Sequence, residues 1–276
     1  MKIVCLIKSS PPLIYFVNQI QERYGVELVV IEKKRYGPRD ILERAKKLGA
    51  LAFFGAIKDI VKTDKRKIYD YERYFSGKWE KIHESIPILE TEDINSKYVF
   101  EHLKEIQPDL LLDHGTSIVH GHLLKTSKLA LNLHWGLSPY YRGTHCTEWA
   151  LINWDPYNIG VTIHRLSDQI DGGDIVAQAR AEIKCNDTLH SINMQLTYLG
   201  TELILELIDK LKKGEKLKFF KQDLSLGYIT YLRQWNHLLC RDIKYIEKKG
   251  LLETMLEYPS RKEKLGIVTL RDQENV

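Results

Sequence analysis

Cysteine is scarce in this sequence. The 276 residues contain four, and no two of them have the CxxC spacing of redox or zinc motifs. Cysteines this scattered in a chain of this length are typical of free thiols in a reducing compartment, and they argue against a disulfide-stabilised secreted domain. We therefore expect a cytoplasmic protein.

Long hydrophobic runs are also missing. No apolar stretch approaches the ~20 residues that a membrane span needs. The opening segment MKIVCLIKSS combines a lysine with an apolar stretch in the manner of a signal peptide, but the stretch is too short and Lys8 interrupts it. We interpret it as a buried first strand and expect no membrane partner.

Basic residues are in only slight excess over acidic ones, and the net charge is +4. A mildly basic balance is compatible with anionic substrates such as folates, phosphates or nucleotides, but it is equally common in enzymes whose charges are simply solvated. We therefore expect no nucleic-acid partner. Hydrophobic residues at 43% and charged residues at 28% are ordinary for a globular protein with a sizeable core.

The first half of the chain alternates between strand and helix patterns. Apolar runs at residues 3–7 and 26–31 predict buried strands, and Ser9-Ser10-Pro11-Pro12 between them predicts a helix start. Residues 39–62 predict a longer helix. The charged and aromatic stretch 63–86 has no clean period, and we interpret it as an excursion or a lid.

Further strands are predicted at residues 109–113 and 129–134, after a helix over 96–106. This alternation predicts an α/β fold with a Rossmann-like, mostly parallel sheet flanked by helices.

The second half predicts a short helix over 147–153, strands at 160–166 and 175–183, and a long amphipathic helix that begins at an Asp187 N-cap and ends at Gly214. A second helix is predicted near 237–249. We expect one catalytic domain over residues 1–212 and a small C-terminal region of uncertain fold over 213–276.

Two polar residues stand at the end of a predicted strand. Asn132 and His134 are two residues apart and therefore point to the same face, at the edge where open parallel sheets bind ligands. An amide and an imidazole can together donate two hydrogen bonds to one oxyanion. They could equally bond neighbouring loop carbonyls, and these two residues alone leave both interpretations open.

The loop from Asp168 to Asp174 carries three aspartates and two glycines. Glycines allow a close approach of the backbone to a ligand, but they also allow an ordinary tight turn. Taken alone, the loop favours a solvated turn.

Together, these segments resemble the folate-dependent formyltransferase family, which includes glycinamide ribonucleotide, methionyl-tRNA and sugar N-formyltransferases. The family pattern is N-x-H, P-x-Y-R-G, G-x-T-x-H and D-x-G. This chain has Asn132 and His134, then matching segments at 139–143, 160–164 and 171–173 in the same order. The resemblance covers residues 85–212 well and the first strands weakly.

The resemblance implies formyl transfer from N10-formyltetrahydrofolate, the co-substrate, to an amine. It assigns the oxyanion to Asn132 and a protonated His134, and the orientation of His134 and the proton transfer to Asp171. It also implies folate contacts, largely through the backbone, at Ser117, Ile118, Val119, His120, Gln169 and Ile170. Trp135, which replaces a small or polar residue, Arg142 and Gly143 are candidates for substrate binding.

The acceptor expected from the resemblance is a nucleotide-linked amino sugar, because the C-terminal region is short. Glycinamide ribonucleotide and methionyl-tRNA remain alternatives. Alternatives of another class are a formyltetrahydrofolate hydrolase and a non-catalytic folate-binding module. His114, His120 and His122 lack the spacing of a known metal motif, so no metal is expected. A homodimer is compatible with the sequence.

Overall fold

The structure is a computed structural model that describes residues 1–33 and 65–273. The helix predicted over residues 39–62 lies outside the described residues.

A seven-stranded sheet forms the centre of the fold, in the order β3-β2-β1-β4-β5-β7-β8. The first five strands of this order are parallel to one another, whereas β7 is antiparallel to both β5 and β8. This confirms the predicted mostly parallel sheet. The strands are β1 (Ile3–Lys8), β2 (Leu28–Glu32), β3 (Ile88–Thr91), β4 (Leu110–His114), β5 (Leu129–His134), β7 (Gly160–Arg165) and β8 (Ile175–Arg180).

Helices cover both faces of this sheet. Their bounds are α1 (Pro11–Tyr24), α2 (Lys65–Phe75), α3 (Lys97–Ile106), α4 (Gly121–Leu124), α5 (Cys146–Ile152), α6 (Leu189–Lys212), α7 (His237–Lys249) and α8 (Leu251–Glu257). The long helix α6 begins one residue later than predicted. Its N-cap is Thr188, whose hydroxyl accepts a hydrogen bond from the Ser191 N–H. The predicted N-cap, Asp187, instead accepts a hydrogen bond from the Ser191 hydroxyl.

Consecutive strand residues enter two separate hydrophobic cores because side chains alternate between the faces of a strand. In β4, Leu110 and Leu112 pack with α1 and α6, and Leu111 packs with α3 on the opposite face. Strands buried on both faces have nearly continuous apolar sequences, as seen here.

The stretch at 63–86, interpreted as an excursion or a lid, contributes a few of its described residues to the core, although most of the others are exposed. Residues 65–75 form α2, which packs on α6. Phe75 is 1% exposed and stacks on Tyr15 with ring centroids 4.3 Å apart.

The C-terminal region is joined to the preceding part of the chain by a second, two-stranded sheet. Strand β6 (Tyr141–Gly143) pairs in parallel with β9 (Tyr228–Thr230). Phe220 also forms a bridge to Ile175 in β8. The domain boundary after residue 212 stays a prediction. No helix in the described part of the chain is both long and apolar enough to cross a membrane.

Candidate active site

The sheet register places three polar residues side by side. Asp113 at the end of β4 is paired with Asn132 of β5, and Asn132 is paired with His164 of β7. All three are buried. Because paired residues on adjacent strands point to the same face, the C-terminal edge of the sheet carries a polar row.

Asp171 reaches this row from the loop between β7 and β8. Its φ of 45° lies in the left-handed region, which is uncommon for a non-glycine residue and is often found at functional sites. Asn132 Nδ2 donates to Asp171 Oδ1 at 3.2 Å and to His164 Nε2 at 3.0 Å. Asp171 Oδ2 accepts from the backbone N–H of Gly143 at 2.7 Å.

His134 lies between two oxygen acceptors. Its Nδ1 is 3.4 Å from Asp171 Oδ2, and its Nε2 is 3.0 Å from the carbonyl oxygen of Tyr141. Burial lowers the pKa of His134, and Asp171 offsets this only in part. This direction does not support the protonated His134 that the resemblance implies. If His134 gains a proton, both of its N–H groups have an acceptor, Asp171 Oδ2 at one nitrogen and the Tyr141 carbonyl oxygen at the other.

The two aspartates of the site have opposite shifts. Burial would raise the pKa of Asp171, but His134, His164 and the Gly143 N–H together hold it well below its usual range. Burial raises the pKa of Asp113 to about 7, and the charge of Asp171 adds to the effect. Hence Asp171 is the fixed negative charge of the site, while Asp113 changes its protonation near neutral pH.

A cavity of about 810 Å³ contains these residues and most of the predicted folate contacts. Its lining includes Ser117, Ile118, Val119, Gln169 and Ile170. His120 is not in the lining. Its side chain is exposed and its backbone N–H donates to Asn95 Oδ1, so its predicted part in folate binding gains no support.

Two side chains hold the 117–120 loop in place. Glu32 accepts from the Ser117 N–H at 2.8 Å, and Asn95 Nδ2 donates to the Ile118 carbonyl at 2.8 Å. Because these contacts already use part of the loop backbone, fewer of its polar groups are available to a folate than the resemblance implies.

The three predicted substrate-binding residues have different surroundings. Trp135 and Gly143 line the cavity, whereas Arg142 does not. Arg142 is buried and donates to the carbonyl oxygens of Pro139 and Leu224, both at 3.1 Å. The predicted part of Arg142 in substrate binding therefore gains no support, because its guanidinium connects the 139–143 loop to the C-terminal region.

Sequence reasoning missed Asp113 and Cys146. A signal for Asp113 existed, since a carboxylate follows the apolar run 110–112 beside the strand that bears Asn132. No sequence signal marked Cys146, whose buried Sγ lies 3.6 Å from His134 Nε2. His164, the last residue of the matching segment 160–164, contacts Asn132 directly.

Comparisons with known proteins show the family of the chain. The sequence profile of the family described as Formyl transferase matches residues 59–208, more than half of the chain. A methionyl-tRNA formyltransferase from Kosmotoga olearia is 33% identical over 146 residues, which cover 51% of this chain and 45% of that protein. The match thus spans less than half of that relative.

Solved structures share the fold. A 4-N formyltransferase from Francisella tularensis gives a TM-score of 0.54 at 21% identity, over 85% of this chain and 78% of that one. An N-formyltransferase from Helicobacter canadensis, in complex with folinic acid and dTDP-3-aminofucose, gives 0.54 at 17% identity, over 86% and 73%. At these identities the likeness establishes the fold alone.

Proposed function

The chain belongs to the formyl transferase family, and on this premise we propose that it transfers the formyl group of N10-formyltetrahydrofolate to an amine of a small acceptor. The observation that carries the proposal is the meeting of Asn132, His134 and Asp171 in one cavity. These residues come from β5 and from a loop 37 residues or more further along the chain, so only the fold brings them together.

In the proposed reaction, the acceptor nitrogen bonds to the formyl carbon, the bond from that carbon to N10 breaks, and a proton passes from the amine to N10. Asn132 and His134 would stabilise negative charge on the formyl oxygen. In the structure their donors point to His164, Asp171 and the Tyr141 carbonyl, so the entering oxygen has to replace one of these partners. Asp171, ionised throughout, would stabilise His134 as it gains a proton.

The formyl donor fits the cavity by the chemistry of its walls. Ile118, Val119 and Ile170 offer apolar surface to a flat ring, and Ser117 and Gln169 add polar groups beside it. The proposal assigns these five residues to the folate.

For the acceptor we propose a nucleotide-linked amino sugar. The Helicobacter canadensis protein was solved with dTDP-3-aminofucose, and this chain covers 73% of it. Methionyl-tRNA is the second candidate, because the Kosmotoga olearia relative is a methionyl-tRNA formyltransferase.

Release of tetrahydrofolate from N10-formyltetrahydrofolate tests the proposal. The panel of acceptors contains dTDP-linked amino sugars, glycinamide ribonucleotide and methionyl-tRNA, and each is assayed with the wild type and with His134→Ala. We expect release that depends on one acceptor and is lost in the variant. His102→Ala, at a half-buried histidine of α3 that does not line the cavity, serves as the control with unchanged activity.

Three other results would be decisive. Release without any amine would indicate a hydrolase. Folate binding without release would indicate a binding module. The absence of both would refute the proposal.

A further inference from the structure

Three polar atoms in the cavity are buried without a hydrogen-bond partner within the described part of the chain. They are His114 Nε2, Trp135 Nε1 and Asn193 Oδ1, and all three residues line the same cavity. Buried polar groups are almost always paired, so a group of three without partners in one cavity calls for an explanation.

His114 can only accept a hydrogen bond at this position. Burial lowers the pKa of its imidazole to about 3, despite a backbone hydrogen bond with Leu133. The neutral ring has a single N–H, and the bond with Leu133 uses it. Nε2 therefore presents a lone pair, and its ring is held edge-on between Phe16 and Trp135, at centroid distances of 5.4 and 5.5 Å.

Trp135 has the complementary chemistry. Its indole N–H is a donor that cannot accept, whereas the Asn193 side-chain oxygen is an acceptor. Asn193 lies in the first turns of α6, and Trp135 follows His134 directly. A ligand at these three atoms must bring both donors and acceptors, next to the histidine of the proposed reaction.

We propose that His114, Trp135 and Asn193 form a subsite that binds the hydroxyl groups of the acceptor's sugar ring. This inference rests on the proposed function and narrows its acceptor to a hydroxylated ring. A hydroxyl both donates and accepts, as these atoms require. A phosphate only accepts, so it would satisfy Trp135 but leave His114 and Asn193 without a donor.

Calorimetric titration with dTDP-3-aminofucose, without a formyl donor, tests the subsite. The ligand analogues lack the 2-hydroxyl or the 4-hydroxyl of the sugar. The chain offers a matched control, because the indole N–H of Trp149 is also buried without a partner among the described residues, but Trp149 does not line the cavity. Trp135→Phe and Trp149→Phe therefore remove the same group in two places.

We expect the wild type to bind at least one deoxy analogue about ten-fold more weakly than the parent, the factor typical of one hydrogen bond. Trp135→Phe should weaken binding of the parent to a similar extent and lose that discrimination, whereas Trp149→Phe should match the wild type. His114→Phe, which keeps the ring packing, should behave like Trp135→Phe, and circular dichroism checks that each variant is folded.

Equal binding by Trp135→Phe and the wild type, no discrimination between the analogues, or no binding of the parent ligand would overturn the subsite. Formyl transfer to an acceptor without a sugar ring would also overturn the subsite, but it would leave the proposed formyl transfer intact. If the wild type binds dTDP-3-aminofucose and discriminates against a deoxy analogue but transfers no formyl group, the subsite stands and the proposed reaction fails.

Discussion

Replacing Asp113 with asparagine should stabilise the protein above neutral pH. Burial, with the nearby charges of Asp171 and Glu32, raises the pKa of the Asp113 carboxyl from 3.8 to about 7. Between these values the folded protein holds one more proton than the unfolded chain, so wild-type stability falls as the pH rises. Asparagine has nearly the same shape, remains neutral, and can accept the hydrogen bond of Thr116.

The magnitude follows from the difference in pKa. A rise from 3.8 to about 7 is about three units, and each unit is worth about 1.4 kcal/mol. The free energy of unfolding of Asp113→Asn should therefore exceed that of the wild type by roughly 4 kcal/mol at about pH 8.5, and by about 1.5 kcal/mol at about pH 5. The gain vanishes below the unfolded pKa, where Asp113 is neutral in both states.

Urea unfolding followed by circular dichroism, at several values between about pH 5 and 8.5, measures the difference. Asp109→Asn is the control. Lys128 and the Lys2 N–H lower the pKa of Asp109, so it stays ionised throughout this range and its variant should differ from the wild type by a constant amount. A pH-independent difference for Asp113→Asn, or a loss of stability at about pH 8.5, would refute the reasoning.

Three further outcomes are expected. Asp171→Asn removes the charge beside His134 and should lower kcat by about 100- to 1000-fold with a smaller change in the KM of the acceptor, measured by tetrahydrofolate release; a change confined to KM would contradict this. Gly143→Ala should destabilise the protein, because φ at Gly143 is 97° and a Cβ would lie 1.9 Å from the Thr230 carbonyl oxygen; a thermal melt equal to the wild type's would show that this contact relaxes freely. Phe75→Ala should lower the free energy of unfolding by roughly 3–5 kcal/mol in urea, since the ring is almost fully buried; a loss below about 1 kcal/mol would mean that α2 contributes little to the core.

Local patterns in the sequence were enough to predict most elements of the sheet. The strand predicted at residues 129–134 is β5 itself, and the helix predicted near 237–249 is α7. Both predictions depend on periodicity and capping, which act over a few residues. Helix α2 was not predicted from the sequence because charged residues and the exposed Tyr69 obscure the face shared by Tyr71, Tyr74 and Phe75. Only the packing of that face against α1 and α6 shows what it buries.

Part of the site was determined in the same way. The two-residue alternation of a strand put Asn132 and His134 on one face, and the tertiary structure kept them there. The place of Asp171 beside them could be expected only from family resemblance, because a contact across 37 residues depends on how the chain returns to the sheet.

Burial was decided by the tertiary structure alone. It directed the Arg142 guanidinium to the backbone carbonyls of two loops, and it left His114 as a neutral acceptor inside the cavity. It also separated the pKa values of Asp113 and Asp171. Residue type fixes which protons a side chain can carry, but the removal of water and the neighbours brought in by the fold determine which of them it holds.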